Sequence, residues 1–330
     1  MNHTPQTNDV APTPRDLAPA RRQIGTVALA IAFIFAGSLL LQVIAITVLE
    51  ALAPDLKYQP WFAVALSGIA MYLSMLLSLF FYRAAEAQKP TEQKRLSLPV
   101  FLGILAICFS VSFLGSIVGS LVNAVVSAIT GIQNVNPLET LTLQTPFWAN
   151  LLFCGVLAPL MEEIFFRKLV IDRLRVFGDL PAILLSGIAF GLIHGNFHQF
   201  FYATLMGVLF GYVYLYTGKL RYSLALHAAI NLISGVGVSE IQKHLDLDAF
   251  LRDPMLLFGD QAPSLFAFGV YLLFLWACFI GAIVAVSRLY GQVRLRRAAE
   301  PLSRAEWYSV LLKNPAVWLF LIMVLLLFLF

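Results

Sequence analysis

"VLAPLMEEIFFRKLVIDRLR" runs from Val156 to Arg175. An oily stretch leads into two adjacent acids, Glu162 and Glu163, and an arginine, Arg167. At the centre of a bilayer each such charge costs about 3 kcal/mol or more unless it is paired or put to use. Whether this stretch lies in hydrocarbon therefore decides both the fold and the meaning of the charges.

The composition answers the first half. Of 330 residues, 60% are hydrophobic and 12% charged, and the mean hydropathy is +0.83. Apolar runs of about 20 residues, enough for about 30 Å of hydrocarbon, recur along the chain. The expected fold is all-α, a polytopic transmembrane helical bundle with eight or nine spans. They lie near 25–49, 61–82, 98–128, 147–172, 181–195, 199–217, 221–238, 264–287 and 315–330, the fifth and ninth being the shortest. Residues 1–23 are polar and Pro-rich and read as a disordered cytoplasmic tail. The apolar run behind them is too long for a signal-peptide core and lacks a small-residue cleavage site, so it reads as an anchor. Residues 24–145 then hold spans one to three, 146–238 hold spans four to seven, and 239–330 hold an acidic outer loop and spans eight and nine.

The 22 basic residues are placed unevenly. With the amino terminus in the cytoplasm, all but Lys57, Lys243 and Arg252 fall on the inner side, as the positive-inside rule requires. The basicity is topological and implies no nucleic-acid partner. The expected location is an integral, multi-pass position in the plasma (inner) membrane. Cys108, Cys154 and Cys278 sit in three different apolar runs without a CxxC pair, so they read as core residues. Glycines recur at every fourth residue in Gly115/Gly119, Gly187/Gly191/Gly195 and Gly207/Gly211, a pattern that lets helices approach closely in lipid. No 20–50-residue repeat and no inverted repeat is visible, which counts against a transporter.

Adjacent residues on a helix point about 100° apart, so Glu162 and Glu163 face different ways. Glu163 and Arg167 are spaced i, i+4 with the acid first, the favoured ion-pair order. That spacing pairs Glu163 with Arg167 and leaves Glu162 without a partner on its own helix. Span five reads "SGIAFGLIHGNFHQF", with Phe190 and His194 on one face. Span seven reads "RYSLALHAAINLISG", with His227 and Asn231 on one face. At about 1.5 Å rise per residue, Glu162 lies about 15 Å, His194 about 18 Å and His227 about 9 Å from the inner surface. One shared site is therefore geometrically open to them.

Amide hydrolysis needs such a set. A buried carboxylate can take a proton from water, an imidazole can orient that water, and preorganised donors can hold the oxyanion. Alternatively, Glu162, His194 and His227 are three ligands of a catalytic zinc with one position left for water. No HExxH segment and no GxSxG elbow is present, which leaves little for a zincin or a serine nucleophile. The same acid and histidines could also serve as a proton relay in a transporter.

"EEIFFR" (Glu162, Glu163, Arg167), "FGLIH" (Phe190, His194) and "HAAIN" (His227, Asn231) resemble the three signature motifs of the CPBP intramembrane protease family. That family includes type II CAAX prenyl endopeptidases and bacterial proteins similar to lysostaphin resistance protein A. The resemblance covers roughly residues 146–238, with the motifs in order on three spans. It implies a catalytic core there, acting on a membrane-anchored peptide or protein. Glu162 and His194 would activate water, His227 and Asn231 would stabilise the oxyanion, and Glu163, Arg167 and Phe190 would support them. The family is commonly labelled metalloprotease, and a metal-free glutamate route is also proposed for it. A non-catalytic scaffold or bacteriocin-immunity-type protein on the same fold is the alternative.

Overall fold

The computed structural model describes residues 15–131, 136–253, 255 and 259–329. Helices account for the architecture: α1 (Ala18–Leu52), α2 (Phe62–Tyr82), α3 (Leu98–Thr130), α4 (Pro137–Gln144), α5 (Phe147–Phe177), α6 (Asp179–Leu192), α7 (Phe197–Thr217), α8 (Leu220–Gln242), α9 (Leu247–Arg252), α10 (Ala262–Leu289), α11 (Arg304–Leu312) and α12 (Pro315–Leu329). No strand occurs among the described residues; one isolated bridge pairs Gly178 with Arg297. Most of the expected 1–23 tail lies outside the described residues, and α1 already begins at Ala18.

Among the described residues, seven helices are long and apolar enough to cross a membrane: α1, α2, α3, α5, α7, α8 and α10. Their outer faces carry bare apolar side chains, such as Phe80 at 70%, Trp276 at 69% and Ile283 at 72% exposure. Such a surface is stable only against lipid. The chain is an integral, multi-pass membrane protein. Two of the nine expected spans differ. The fifth, α6, has 14 residues, about 21 Å of rise, short of the about 30 Å of hydrocarbon. The ninth is a pair, α11 and α12, bent by 70°, which raises the number to eight if taken as one crossing.

The end of α6 has a local cause. Gly195 adopts φ +67, which a side chain would strain. Asn196 then caps α7, its side-chain oxygen accepting from the Gln199 N–H at 3.0 Å. The chain reverses just after His194 and returns as α7.

Close approach holds α7 in place, as the glycine spacing predicts. A Cβ on Gly115 of α3 would lie 2.6 Å from Tyr202 Cα, and one on Gly207 would lie 2.9 Å from Gly187 Cα. α7 is thus pressed between α3 and α6, with α10 behind α3, and α1 packs on both α2 and α12. A Cβ on Gly187 would lie 2.6 Å from Val208 Cγ2 and 2.9 Å from its backbone nitrogen. Gly187→Ala is therefore expected to destabilise the bundle by about 1–3 kcal/mol, the range for overpacking. A thermal unfolding midpoint equal to wild type in detergent would contradict that.

The basic segments meet at one end of the bundle. Gln23 Nε2 donates to Arg173 O, the Gln88 N–H to Asp172 O, the Lys94 N–H to Thr217 O, and the Asp179 N–H to Arg296 O. The starts of α1 and α6, the ends of α5 and α7, the segment after α2 and the one after α10 therefore lie together. At the other end Lys243 Nζ donates to Thr145 O at 2.6 Å, tying α8 to the end of α4.

Candidate active site

α5 is irregular where its sequence says it should be. Pro159 stands in its interior, lacking an N–H, and π-helical turns flank it at Leu151–Leu157 and Ile164–Ile171. In the π register the missing donor would have served the Cys154 carbonyl, five residues back. Asn231 of α8 serves it instead, its Nδ2 donating to Cys154 O at 2.9 Å. Tyr72 of α2 donates to the neighbouring Phe153 carbonyl at 2.9 Å. The irregular turns of α5 are thus satisfied by side chains from two other helices, as buried carbonyls must be.

Glu163 and Arg167 form the expected pair with both sites wholly buried: Nε to Oε2 and Nη2 to Oε1, each 3.0 Å. This is the two-pronged geometry in which a guanidinium best matches a carboxylate. Arg167 Nη1 also donates to Ser186 Oγ at 3.4 Å, and Ser186 passes a hydrogen bond to Phe166 O. The guanidinium lies over the rings of Phe190 and Phe210, 5.4 and 5.8 Å from their centroids.

Glu163 does a second job. Arg167 keeps it an acceptor, so the contact of 3.2 Å between its Oε1 and His227 Nδ1 is an N–H donated by the imidazole. That fixes the Nδ1 proton and turns Nε2 away, towards Glu162 Oε2 at 3.6 Å. One imidazole therefore stands between two carboxylates. Its ring is stacked on Phe210 at 5.1 Å and meets Phe190 edge-on at 5.7 Å. Glu162, expected to lack a partner on its own helix, finds one on α8, and is itself 7% exposed.

His194 approaches the same aromatic wall, edge-on to Phe190 at 5.1 Å. Its Nδ1 lies 2.8 Å from Phe190 O. A carbonyl can only accept, so Nδ1 carries the proton and Nε2 of the neutral ring is a bare acceptor.

Six of the seven expected site residues, Glu162, Glu163, Arg167, Phe190, His194 and His227, thus join one contiguous cluster around Phe190 and His227. Asn231 donates one N–H to Cys154 O and keeps a second. Ser186, Phe210 and Tyr72 belong to the same neighbourhood and carry no motif that would have named them. Among the described residues no group of three or more His, Cys, Asp or Glu side chains is arranged to hold a metal ion. No chemical step is assigned to a metal.

Residues 144–233 match the family model described as Rce1-like, type II CAAX prenyl endopeptidase Rce1-like. Neither a curated protein nor a solved structure matches the chain. The matched segment runs from the end of α4 to the middle of α8 and contains every residue of the cluster. The three motifs, their order and the contacts between them converge with that match: residues 144–233 are similar to the Rce1-like CAAX protease family, in keeping with the CPBP motifs.

Proposed function

We propose that the chain is an intramembrane endopeptidase that hydrolyses a peptide bond of a membrane-anchored peptide or protein with water activated by Glu162. The observation that carries this reading is the Glu162–His227–Glu163–Arg167 line: a buried carboxylate 3.6 Å from an imidazole that a second, charge-neutralised carboxylate orients. A purely structural ion pair needs only Glu163 and Arg167; Glu162 adds a second buried acid that, among the described residues, makes no salt bridge to an arginine or lysine.

Water gives a proton to the Glu162 carboxylate as its oxygen attacks the carbonyl carbon, and the carbonyl electron pair moves to oxygen. His194 Nε2 accepts a hydrogen bond from the same water and aims it. His227, its Nδ1–H held on Glu163, turns its Nε2 edge into the site, where an Nε2–H would be a donor to the oxyanion preorganised in a low-dielectric site. The second N–H of Asn231 is the remaining candidate donor. When the C–N bond breaks, the amine leaves with the proton held by Glu162, which restores the carboxylate.

The partners of this reading are membrane lipid and an anchored substrate. The basic end faces the cytoplasm, with the amino terminus, in an inner plasma membrane. Nucleic acid has no part in it.

The test is cleavage of a fluorogenic membrane-anchored peptide by purified protein in vesicles. Metal-stripped protein, verified by elemental analysis, is expected to cleave within about twofold of the untreated rate. Loss on stripping with recovery on added zinc would overturn the metal-free route while keeping the peptidase. Transport of solute without cleavage would favour the relay reading.

A further inference from the structure

The turn that carries His194 lies deep in the bundle. α3 runs past it: a Cβ on Gly119 would collide with the Phe197 carbonyl oxygen, and α3 continues from there to Thr130, about 16 Å of helix. Leu121, Val125 and Ile129 on that stretch are exposed and apolar, as a surface against lipid requires. The reversal at residues 193–196 thus falls within the hydrocarbon depth. Non-helical backbone persists there only where protein or a water-filled cavity covers it.

Part of the cover comes from the end of α12, which lies outside the segment that matches the family model. A Cβ on Gly195 would lie 3.0 Å from Leu327 Cβ. The Phe328 ring meets Phe197 edge-on at 4.9 Å and Phe200 edge-on at 6.1 Å. Two successive residues of α12 therefore grip the residue that follows His194 and the first turn of α7. Gly195 suits the contact twice: its φ of +67 forms the turn, and its bare Cα leaves room for Leu327.

The helix lengths agree with this. α12 starts at the basic end, where Asn314 Nδ2 donates to Arg21 O at 2.8 Å, and it packs along α1. Its 15 residues rise about 22 Å. α6 starts at the same end, and its 14 residues rise about 21 Å. Two short helices begin together and finish together, the second against the turn that ends the first.

We infer that Leu327 and Phe328 are positioning residues for His194, an inference that rests on the peptidase reading. The end of α12 clamps the turn at residues 194–197 against α3, and so fixes where the imidazole presents Nε2 to the attacking water. The contact of His194 Nδ1 with Phe190 O sets which nitrogen is bare. The seat of the turn sets where that nitrogen stands.

Leu327→Ala combined with Phe328→Ala removes the clamp and leaves every residue of the cluster unchanged. In vesicles it is expected to lower kcat on the membrane-anchored peptide about 10- to 100-fold, the cost of a displacement on the order of 1 Å at a reacting group. KM is expected to stay within about twofold. The unfolding midpoint is expected to stay close to wild type, because lipid tails replace the lost apolar contact with one equally apolar. Phe328→Leu alone keeps a bulky apolar side chain and is expected to hold kcat within about threefold of wild type. Glu162→Gln is measured beside them. If wild type cleaves, Glu162→Gln does not, and the double alanine variant matches wild type, the inference fails and the peptidase stands. Loss through KM would make α12 a substrate contact, and loss in step with a lowered midpoint would make it a structural prop; either overturns the inference. Should the double variant not fold, Leu327→Ala alone carries the test with the same outcomes. A wild type that cleaves no peptide overturns both readings.

Discussion

Glu162→Gln is expected to lower kcat on a membrane-anchored peptide by at least about 10³-fold, within the range that acid–base groups contribute. The substitution keeps the shape of the side chain and removes its ability to accept a proton. Its effect on stability is expected to be small: Glu162 faces His227 Nε2 at 3.6 Å, beyond a close hydrogen bond, and an amide places no unpaired charge in the core. His194→Ala and His227→Ala fall in the same direction. Because the three act as a unit, the double variants are expected to lose little more than the worst single one. The non-catalytic scaffold reading predicts the opposite, a Glu162 variant with its biological effect intact.

Arg167→Leu is the second large effect, and it falls on stability. Arg167 and Glu163 are both fully buried, so leucine would strand Glu163 as an unpaired carboxylate. Breaking such a pair costs about 3–5 kcal/mol, much of it the penalty for the charge left behind. Arg167→Leu is expected to show a much lower unfolding midpoint in detergent and poor recovery from membranes. Pairing Arg167→Met with Glu163→Gln removes both charges and is expected to restore most of that stability. Activity would remain depressed by about 10–100-fold, because a neutral amide on Nδ1 orients His227 less firmly than a carboxylate does. A double variant with full activity would show that the Glu163–His227 contact plays no part in catalysis.

What could be read from the residues alone follows the reach of helical spacing. Hydropathy located the crossings, since each must cover the same thickness of hydrocarbon. The i, i+4 step paired Glu163 with Arg167 before any coordinates, because both lie on one helix. Spacing is blind between helices. The partner of Glu162 comes from α8, and the turn of α5 against α8 that brings His227 to it has no signature in either segment. Asn231 shows the same limit from the other side. Pro159 announces a carbonyl without a donor, and Asn231 announces a donor in lipid, yet only the packing of α8 on α5 joins them. Span five was expected to reach residue 195. Its last residues belong to a turn that Gly195 permits and Asn196 caps, a pairing of positive φ and capping that hydropathy cannot register.

The most direct test of the account is the mass of the peptide products after incubation in ¹⁸O water, wild type against Glu162→Gln, in the same vesicles. The account predicts two fragments from wild type, together heavier than the substrate by one water, with the solvent oxygen in the new carboxylate, and intact peptide from Glu162→Gln. Fragments from Glu162→Gln at the wild-type rate, or intact peptide from both proteins, would contradict it.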